Sequence, residues 1–371
     1  VILAMAIAKI SFAASTLPAK RAIAPGISSI ALLFSPISYL VARIPPKVII
    51  LSVMAITLFE STMPAIQIVI HLNYTSLFSM LDRSSIMHYN TTMNKLSIEK
   101  QAQIISCLVE GNSIRATCRM TGAAKGTVTR LLESVGTACA EYQDKTLRNL
   151  SCKTIECDEI WSYCYAKDKN VPEEYKGQFG YGDVWTWVAL DADTKLVPSW
   201  CLGLRNSAYA YRFMLDLESR LKNRVQLTTD GYKAYLKAIE VAFGTDIDYA
   251  VLVKLYGAEP GAEKRYSPAK CVAIEKEVIQ GKPDISRVST SYVERQNLTM
   301  RMSMRRYTRL TNAFSKKIEN LEAAVALHFM YYNFCRPHKT LNLKRNLGIT
   351  PAMAAGVADH QWTITEVVIL A

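Results

Sequence analysis

The order of strand and helix patterns between residues 153 and 243 restricts the fold more than any other feature of this sequence. Three strand candidates come first, followed by an amphipathic helix, a short strand and a second helix: 153–165, 184–190, 195–204, 207–221, 225–229 and 232–243. Asp191 and Asp193 lie in the turn between the second and third strands, where aspartate is common. This β-β-β-α-β-α order predicts an α/β fold, with a mixed sheet and flanking helices.

Three acids lie at the ends of these predicted elements. Asp158 belongs to the first strand, where Glu156 and Glu159 compete with it for the same role, and Asp230 ends the fourth strand. Glu294 lies in the first turn of a later predicted helix. Carboxylates that bridge two cations support phosphoryl-transfer chemistry, and oxygen ligands suit magnesium. Each acid alone has a simpler explanation, since Asp230 and Glu294 are both placed to stabilise the start of a helix.

Residues 93–150 have the pattern of three short helices. Ser97 and Ser113 are candidate N-caps, and Gly122 supplies a turn before the third helix. The third helix begins with a polar set of side chains that is typical of DNA recognition: Lys125, Thr127, Thr129 and Arg130. The pattern predicts an all-α helix-turn-helix domain that precedes the sheet and binds DNA. Any small three-helix bundle would give a similar pattern.

Positive charge is concentrated in residues 291–345. This segment contains eleven Lys/Arg and three acids, a net charge of +8 out of +12 for the whole chain. Such a local excess predicts a polyanionic partner. Thr290 or Ser291 can cap a helix over 291–306, and an amphipathic helix is expected over 312–334. The candidate DNA contacts here are Arg295, Asn297, Arg301, Arg305, Arg306, Arg309 and His338. The alternative is surface solvation for the arginines and a polar helix end for His338.

Residues 1–92 differ from the rest of the chain. They contain a single glycine and two apolar runs, 27–42 and 48–70, of which the second is broken by Glu60 and Pro64. A membrane anchor or a signal-like segment is one explanation. We favour an upstream extension, disordered or apolar, produced by an over-extended reading frame. Nine cysteines without a Cys-x-x-Cys pair predict reduced thiols and a cytoplasmic protein.

The remaining boundaries depend on the distance between the second and third acids. Asp230 and Glu294 are separated by 63 residues, which is long for a compact core. Residues 244–288 are rich in Gly and Pro, and we expect an insertion that lies over the catalytic face. The catalytic domain is therefore predicted over 151–345. A C-terminal tail follows over 346–371, with a short helix that opens at Thr350.

Six stretches of the chain resemble transposases of the first-numbered insertion-sequence family. They are CDEIWS at 157–162, WTWVALDADTKLVP at 185–198, VQLTTDGYKAY at 225–235, STSYVERQNLTMRMSMR at 289–305, RYTRLTNAFSKK at 306–317 and NFCRPHKTL at 333–341. The resemblance covers most of 93–371 and nothing of 1–92. It implies a DDE-type catalytic core with a ribonuclease-H-like mixed sheet.

The resemblance also implies a function. Metal-dependent strand cleavage at the ends of an insertion sequence would be followed by strand transfer into target DNA. Asp158, Asp230 and Glu294 would be the catalytic residues and would hold two Mg²⁺ or Mn²⁺ ions. The implied partners are double-stranded DNA, both element ends and target, and further copies of the chain assembled on it. No stable membrane partner is expected, and the protein would associate with the nucleoid in the cytoplasm.

Two features depart from the family or leave other functions open. Some members carry a separate zinc-bearing N-terminal unit, and the cysteines here lack its pattern, so recognition of element ends depends on 96–142. A ribonuclease-H-like nuclease such as a junction resolvase fits the same acids. A DNA-binding regulator with a catalytically inactive core fits the helix-turn-helix and the basic segment.

Overall fold

The computed structural model describes residues 95–257, 270–308, 313–342 and 348–371. The apolar segment 1–92 and Arg309 lie outside the described residues. Residues 95–371 form one compact unit. Among the described residues, no helix is both long enough and apolar enough to cross a bilayer. All nine cysteines are free, as their spacing predicts.

The predicted N-terminal helices are confirmed as α1 (Ile98–Val109), α2 (Ile114–Thr121) and α3 (Lys125–Thr146). The Oγ of Ser97 accepts a bond from the Lys100 amide, and the Oγ of Ser113 accepts one from the Ala116 amide. Gly122 ends α2 with φ +70°, a conformation that glycine adopts without a steric penalty. Local hydrogen bonding therefore sets these helix boundaries.

The sheet has six strands: β1 (Thr154–Cys164), β2 (Gly182–Asp191), β3 (Trp200–Gly203), β4 (Val225–Thr229), β5 (Ile247–Gly257) and β6 (Lys270–Gln280). Their order is β3-β2-β1-β4-β5-β6. Strands β1, β4 and β5 are parallel neighbours, and the other pairs are antiparallel. The predicted α/β class and mixed sheet are thus confirmed, and the order is consistent with a ribonuclease-H-like fold.

The described part of residues 244–288 does not form the insertion that we expected over the catalytic face. Their described part continues the sheet as β5 and β6, which pair along most of their length. The alternating apolar residues of β5, including Ile247, Tyr249 and Val251, are buried and give the strand its inner face. Most of the Gly and Pro residues that suggested irregular structure lie between or after the two strands rather than inside them.

Six more helices follow in the described residues: α4 (Ser207–Glu218), α5 (Ala234–Phe243), α6 (Ser291–Ser303), α7 (Ile318–Met330), α8 (Pro351–Ala354) and α9 (Ile364–Ile369). Helix α7 begins later than the predicted 312. The Ser315 carbonyl accepts a bond from the Tyr165 amide at 2.8 Å, and Ser315 bridges to Cys164. Residues before α7 are therefore held as an extended segment beside the end of β1.

The N-terminal helices share one core with the sheet. Helix α3 packs against α7, and the buried Gln143 donates to the Ala326 carbonyl at 3.1 Å. A continuous cluster of buried apolar side chains runs from Ile105 in α1 through β1 and β4 to Val368 in α9. The predicted helix-turn-helix is consequently part of the same compact unit as the predicted catalytic core.

Candidate active site

Asp158 and Asp230 lie side by side because their strands are parallel neighbours. The pairing of β1 with β4 ends at Glu156 opposite Thr228. Two residues further along each chain, the same register places Asp158 level with Asp230. One carboxylate oxygen from each of Asp158, Glu159 and Asp230 lies within 4.8 Å of the others. The structure therefore brings two of the three predicted acids together, with Glu159 as their neighbour.

The crowding of negative charge is visible in the pKa values of this cluster. Burial, together with the nearby charges of Asp230 and Glu294, raises the pKa of Asp158 to about 6. Burial also raises the pKa of Glu159 to about 7, although the Tyr235 hydroxyl acts in the opposite direction. A cation placed among these oxygens would relieve the repulsion between them.

Hydrogen bonds fix the orientation of the two aspartates. The Asn297 side chain of α6 donates its Nδ2 to Oδ2 of Asp158 at 2.9 Å, and the Glu159 amide donates to Oδ1. Oδ1 of Asp230 accepts the Tyr232 amide at 2.9 Å. Asn297, which the sequence marked as a candidate DNA contact, is 3 % exposed. In this structure its side chain positions a carboxylate instead of facing the surface.

Arg205, which sequence reasoning missed, is the cation nearest to the cluster. Its Nε donates to Oε2 of Glu159 at 3.2 Å, and its Nη2 lies 3.7 Å from Oδ2 of Asp230. The guanidinium also stacks over Tyr232, at 4.1 Å from the ring centre, and near Trp185. Arg205 comes just after β3, and no motif or spacing links it to strands β1 and β4. Only the folded sheet shows the connection.

Glu294 lies at the edge of this cluster. Its Oε1 accepts a bond from the Thr290 hydroxyl at 2.7 Å and forms an ion pair with Lys254 of β5. It is not one of the three acids whose oxygens lie within 4.8 Å, but its charge acts on Asp158. The sequence did not predict Lys254 as a site residue, because the segment that forms β5 was interpreted as part of an insertion. The ligand role of Glu294 stays a prediction.

Glu156, the other β1 acid considered for the metal site, does not join the carboxylate cluster of Asp158, Glu159 and Asp230. It is fully buried, and its Oε2 accepts the amides of Tyr292 and Val293 at 2.8 and 3.0 Å. A carboxylate from β1 therefore satisfies the first amides of α6, a place where negative charge is favoured. Thr290 precedes α6 but makes no side-chain bond to its amides, so the predicted hydroxyl cap is wrong. Burial raises the pKa of Glu156 to about 7.

Most of the predicted DNA contacts lie in two regions of the surface, and Arg295 and His338 line a third, separate pocket. At the start of α3, Lys125 and Arg130 are exposed, while Thr127 and Thr129 are half-buried. On and just after α6, Arg305 is exposed, and Arg301 and Arg306 are half-buried. A cavity of about 480 Å³ joins these regions, and four of the predicted contacts line it: Lys125, Thr129, Arg305 and Arg306. The folded chain thus gathers basic residues that are far apart in sequence.

Comparison with known proteins gives distant similarities. No family model matches the chain, and neither does any curated protein. A structure of the Mos1 transposase paired-end complex with left transposon end is 12 % identical, with a TM-score of 0.20 over 47 % of this chain and 66 % of that chain, just under two thirds of its length. A piggyBac transposase synaptic complex with hairpin DNA is 9 % identical, with a TM-score of 0.32 over 77 % and 73 %. A Mos1 mariner paired end complex with Mn is 12 % identical, with a TM-score of 0.18 over 55 % and 78 %. Such scores do not establish a shared fold, so the argument for function depends on the site.

Proposed function

We propose that this protein is a DDE-type DNA transposase, which cleaves DNA at the ends of an insertion sequence and joins the freed end to target DNA. One observation carries the proposal: the carboxylates of Asp158, Glu159 and Asp230 converge beyond the paired parts of two parallel strands. The basic helix α6 runs alongside and contributes Asn297 and Glu294. Acidic oxygens beside positive charge are what cleavage of a phosphodiester requires.

The donor set fits a hard divalent cation. It consists of carboxylate oxygens, which Mg²⁺ and Mn²⁺ accept, and the described residues around it offer no thiol or imidazole to the cluster. We assign Asp158, Asp230 and Glu294 as the residues that hold two such ions. When bound, the ions lower the pKa of an attacking water and neutralise charge that develops on the phosphate.

The other residues of the site have supporting roles in this proposal. Asn297 holds Asp158 in one orientation by its 2.9 Å hydrogen bond. Arg205 compensates part of the negative charge of Glu159 and Asp230. Lys254 compensates Glu294. Arg301 and Arg305, on and just after α6, are assigned to phosphates that flank the scissile bond.

Recognition of the element ends is assigned to the start of α3. Its exposed Lys125 and Arg130 would contact DNA, and the cavity that Lys125 shares with Arg305 would let one duplex reach both regions. Arg295, Arg306, Arg309 and His338 are assigned to the backbone. Copies of the chain would assemble on the DNA, in the cytoplasm and close to the nucleoid.

The test is a joining assay with DNA that carries the sequences flanking the gene. With Mg²⁺ or Mn²⁺ we expect cleavage at those ends, followed by joining to a plasmid. Asp158→Asn, Asp230→Asn and Glu294→Gln should each abolish both steps, since each removes a ligand charge. The matched control is Asp193→Asn, which changes an exposed acid of the β2–β3 turn, paired with Arg287. The control should retain both steps.

Each result has a defined meaning. Cleavage without joining would favour the nuclease, and binding of the ends without any cleavage would favour the inactive regulator. Activity in any of the three variants would remove that residue from the ligand set. Calorimetry with Mn²⁺ separates Glu294 from Glu159: if Glu159→Gln weakens binding and Glu294→Gln does not, the third ligand is Glu159.

A further inference from the structure

A second basic concavity lies behind α6, and we call it the rear pocket. It has a volume of about 350 Å³. Its charged or ionisable lining residues come from the β2–β3 connection, α6 and the chain after α7: Lys195, Arg295, Arg336, His338 and Lys339. No Asp or Glu lines it among the described residues. The folded chain therefore collects four lysine and arginine side chains around one concave surface.

These cations have no acid in direct contact among the described residues. Within the part of the chain that the structure describes, none of the four forms an ion pair. Lys195 is buried, and its Nζ lies 3.2 Å from the centre of the Tyr292 ring and donates to the Ala192 carbonyl. The charges of Glu156, Asp193 and Asp191 act on Lys195 from a distance, but Glu156 is bonded to the first amides of α6 and Asp193 is paired with Arg287. Positive charge without a contacting acid in a concave site favours an anion.

Two of the residues that line the pocket carry a buried polar atom without a hydrogen-bond partner. Gln296 is 2 % exposed, and its Nε2 makes no hydrogen bond. The Nδ1 atom of His338 is likewise buried without a partner. Buried polar atoms in proteins are nearly always hydrogen-bonded, so each exception needs an explanation. An oxyanion in the pocket would accept a hydrogen bond from the Gln296 amide.

The rear pocket and the carboxylate cluster lie on different sides of α6. The pocket is lined by Tyr292, Arg295, Gln296 and Thr299, which share one face at helical spacing. Glu294 and Asn297 fall on another face, toward Asp158. The rear pocket is therefore separate from the carboxylate site, although one helix carries residues of both.

We propose that the rear pocket binds a backbone phosphate of a DNA strand and so anchors DNA behind the helix that carries Glu294. Its volume is that of a small-molecule site, larger than one phosphate needs, and three of its cations are exposed at the rim. A strand that runs across the rim would place one phosphate against Lys195 and Gln296, with its neighbours near Arg336 and Lys339. This inference rests on the proposed function, because a transposase must hold DNA beyond the scissile bond.

The test measures DNA binding without metal, so that it does not depend on cleavage. The variant is Arg336→Gln with Lys339→Gln, and the matched control is Arg212→Gln with Lys237→Gln. The control residues are exposed on α4 and α5, which pack on the Glu159 side of the sheet. Fluorescence anisotropy of a labelled duplex in EDTA is recorded over a range of salt concentrations, and thermal unfolding verifies that every variant is folded.

For the pocket variant we expect weaker binding and a salt dependence whose slope is smaller by about 1 to 2, since each lost phosphate contact contributes about 0.9. The control should match the parent. Equal slopes for parent and pocket variant would overturn the proposal, and so would equal losses in variant and control. If the parent binds DNA in this way but never cuts it, the transposase proposal fails and the rear pocket stands.

Two further measurements address the buried amide and the source of the phosphate. Gln296→Leu should weaken DNA binding several-fold without lowering the unfolding midpoint, because it removes an unpaired buried donor. Unchanged DNA binding in this variant would contradict the proposal. Calorimetry with inorganic phosphate and ATP separates the sources. The proposal is wrong if phosphate or ATP binds at micromolar concentration, the Arg336 and Lys339 substitutions weaken that binding, and the same substitutions leave DNA binding unchanged. The site would then bind a free phosphate compound instead of DNA.

Discussion

Exchange of Gly136 for alanine tests whether the N-terminal helices and the sheet form one folding unit. Gly136 is buried in the middle of α3, where that helix crosses α7. A Cβ at this position would lie 2.4 Å from the carbonyl oxygen of Ala323 and 2.6 Å from its Cα. Both are backbone atoms of α7, so no side-chain rotation relieves the contact. The two helices must move apart.

The size of the effect follows from these distances. Carbon atoms in contact are about 3.5–4.0 Å apart, so the helices have to separate by roughly 1 Å. Overpacking of this kind costs about 1–3 kcal/mol, and a clash with backbone belongs at the upper end. Alanine is better than glycine inside a helix by about 1 kcal/mol. We therefore expect a net loss of about 1–2 kcal/mol, or roughly 2–8 °C in the unfolding midpoint.

The assay is thermal unfolding followed by circular dichroism, with Gly126→Ala as the matched control. Gly126 belongs to the same helix, and a Cβ there would have no atom within 4 Å. The control should leave the midpoint unchanged or raise it slightly through helix propensity. If Gly136→Ala is as stable as Gly126→Ala, α3 does not pack closely on α7. The three N-terminal helices would then be a separate domain.

Three other predictions concern the site and the C-terminus. Asn297→Leu should lower the steady-state cleavage rate about 10- to 100-fold, the usual cost of losing a partner that orients a metal ligand. Asn297→Asp places a like charge beside Asp158 and should not restore that rate. Full activity of the leucine variant would refute the assigned role. Mg²⁺ should raise the unfolding midpoint of the parent and not that of Asp158→Asn, because only a folded chain assembles the ligands; an equal rise in both would contradict the site. Hydrogen bonding to Glu366 raises the pKa of His360 above its usual 6.5. The pair therefore stabilises the fold fully below pH 6.5, and this stabilisation is lost as the pH rises through the raised pKa of His360. The difference in midpoint between parent and His360→Gln should accordingly shrink above neutral pH, and a constant difference would rule out the coupling.

Much of the secondary structure follows from local patterns. Ser97, Ser113 and Gly122 end or begin helices through contacts within three or four residues. The boundaries that they set for α1 and α2 can therefore be predicted from the sequence. The strand patterns at 153–165 and 184–190, the second rich in β-branched and aromatic residues, give β1 and β2 to within two residues. The reduced state of the cysteines follows from their spacing in the same way.

Errors arise where a distant partner decides the local structure. Residues 313–317 carry a helical pattern but stay extended, since Ser315 pairs with the end of β1. Thr290 has a side chain that can cap a helix, yet the first amides of α6 donate to the carboxylate of Glu156 on β1 instead. Strand β5 was missed because the Gly and Pro residues beyond it dominate the pattern of the whole segment. In each case a contact across the sheet outweighs a local preference of about 1 kcal/mol.

The sequence by itself determined the class of fold and two acids that meet in it, Asp158 and Asp230, because the strand patterns place one on the first strand and the other at the end of the fourth. Only the tertiary structure decided what surrounds them. Arg205, Lys254 and Asn297 come from three separate elements, and no spacing in the chain relates one to another. Their convergence depends on the order of strands in the sheet and on the side of it that each helix covers, and long-range packing sets both.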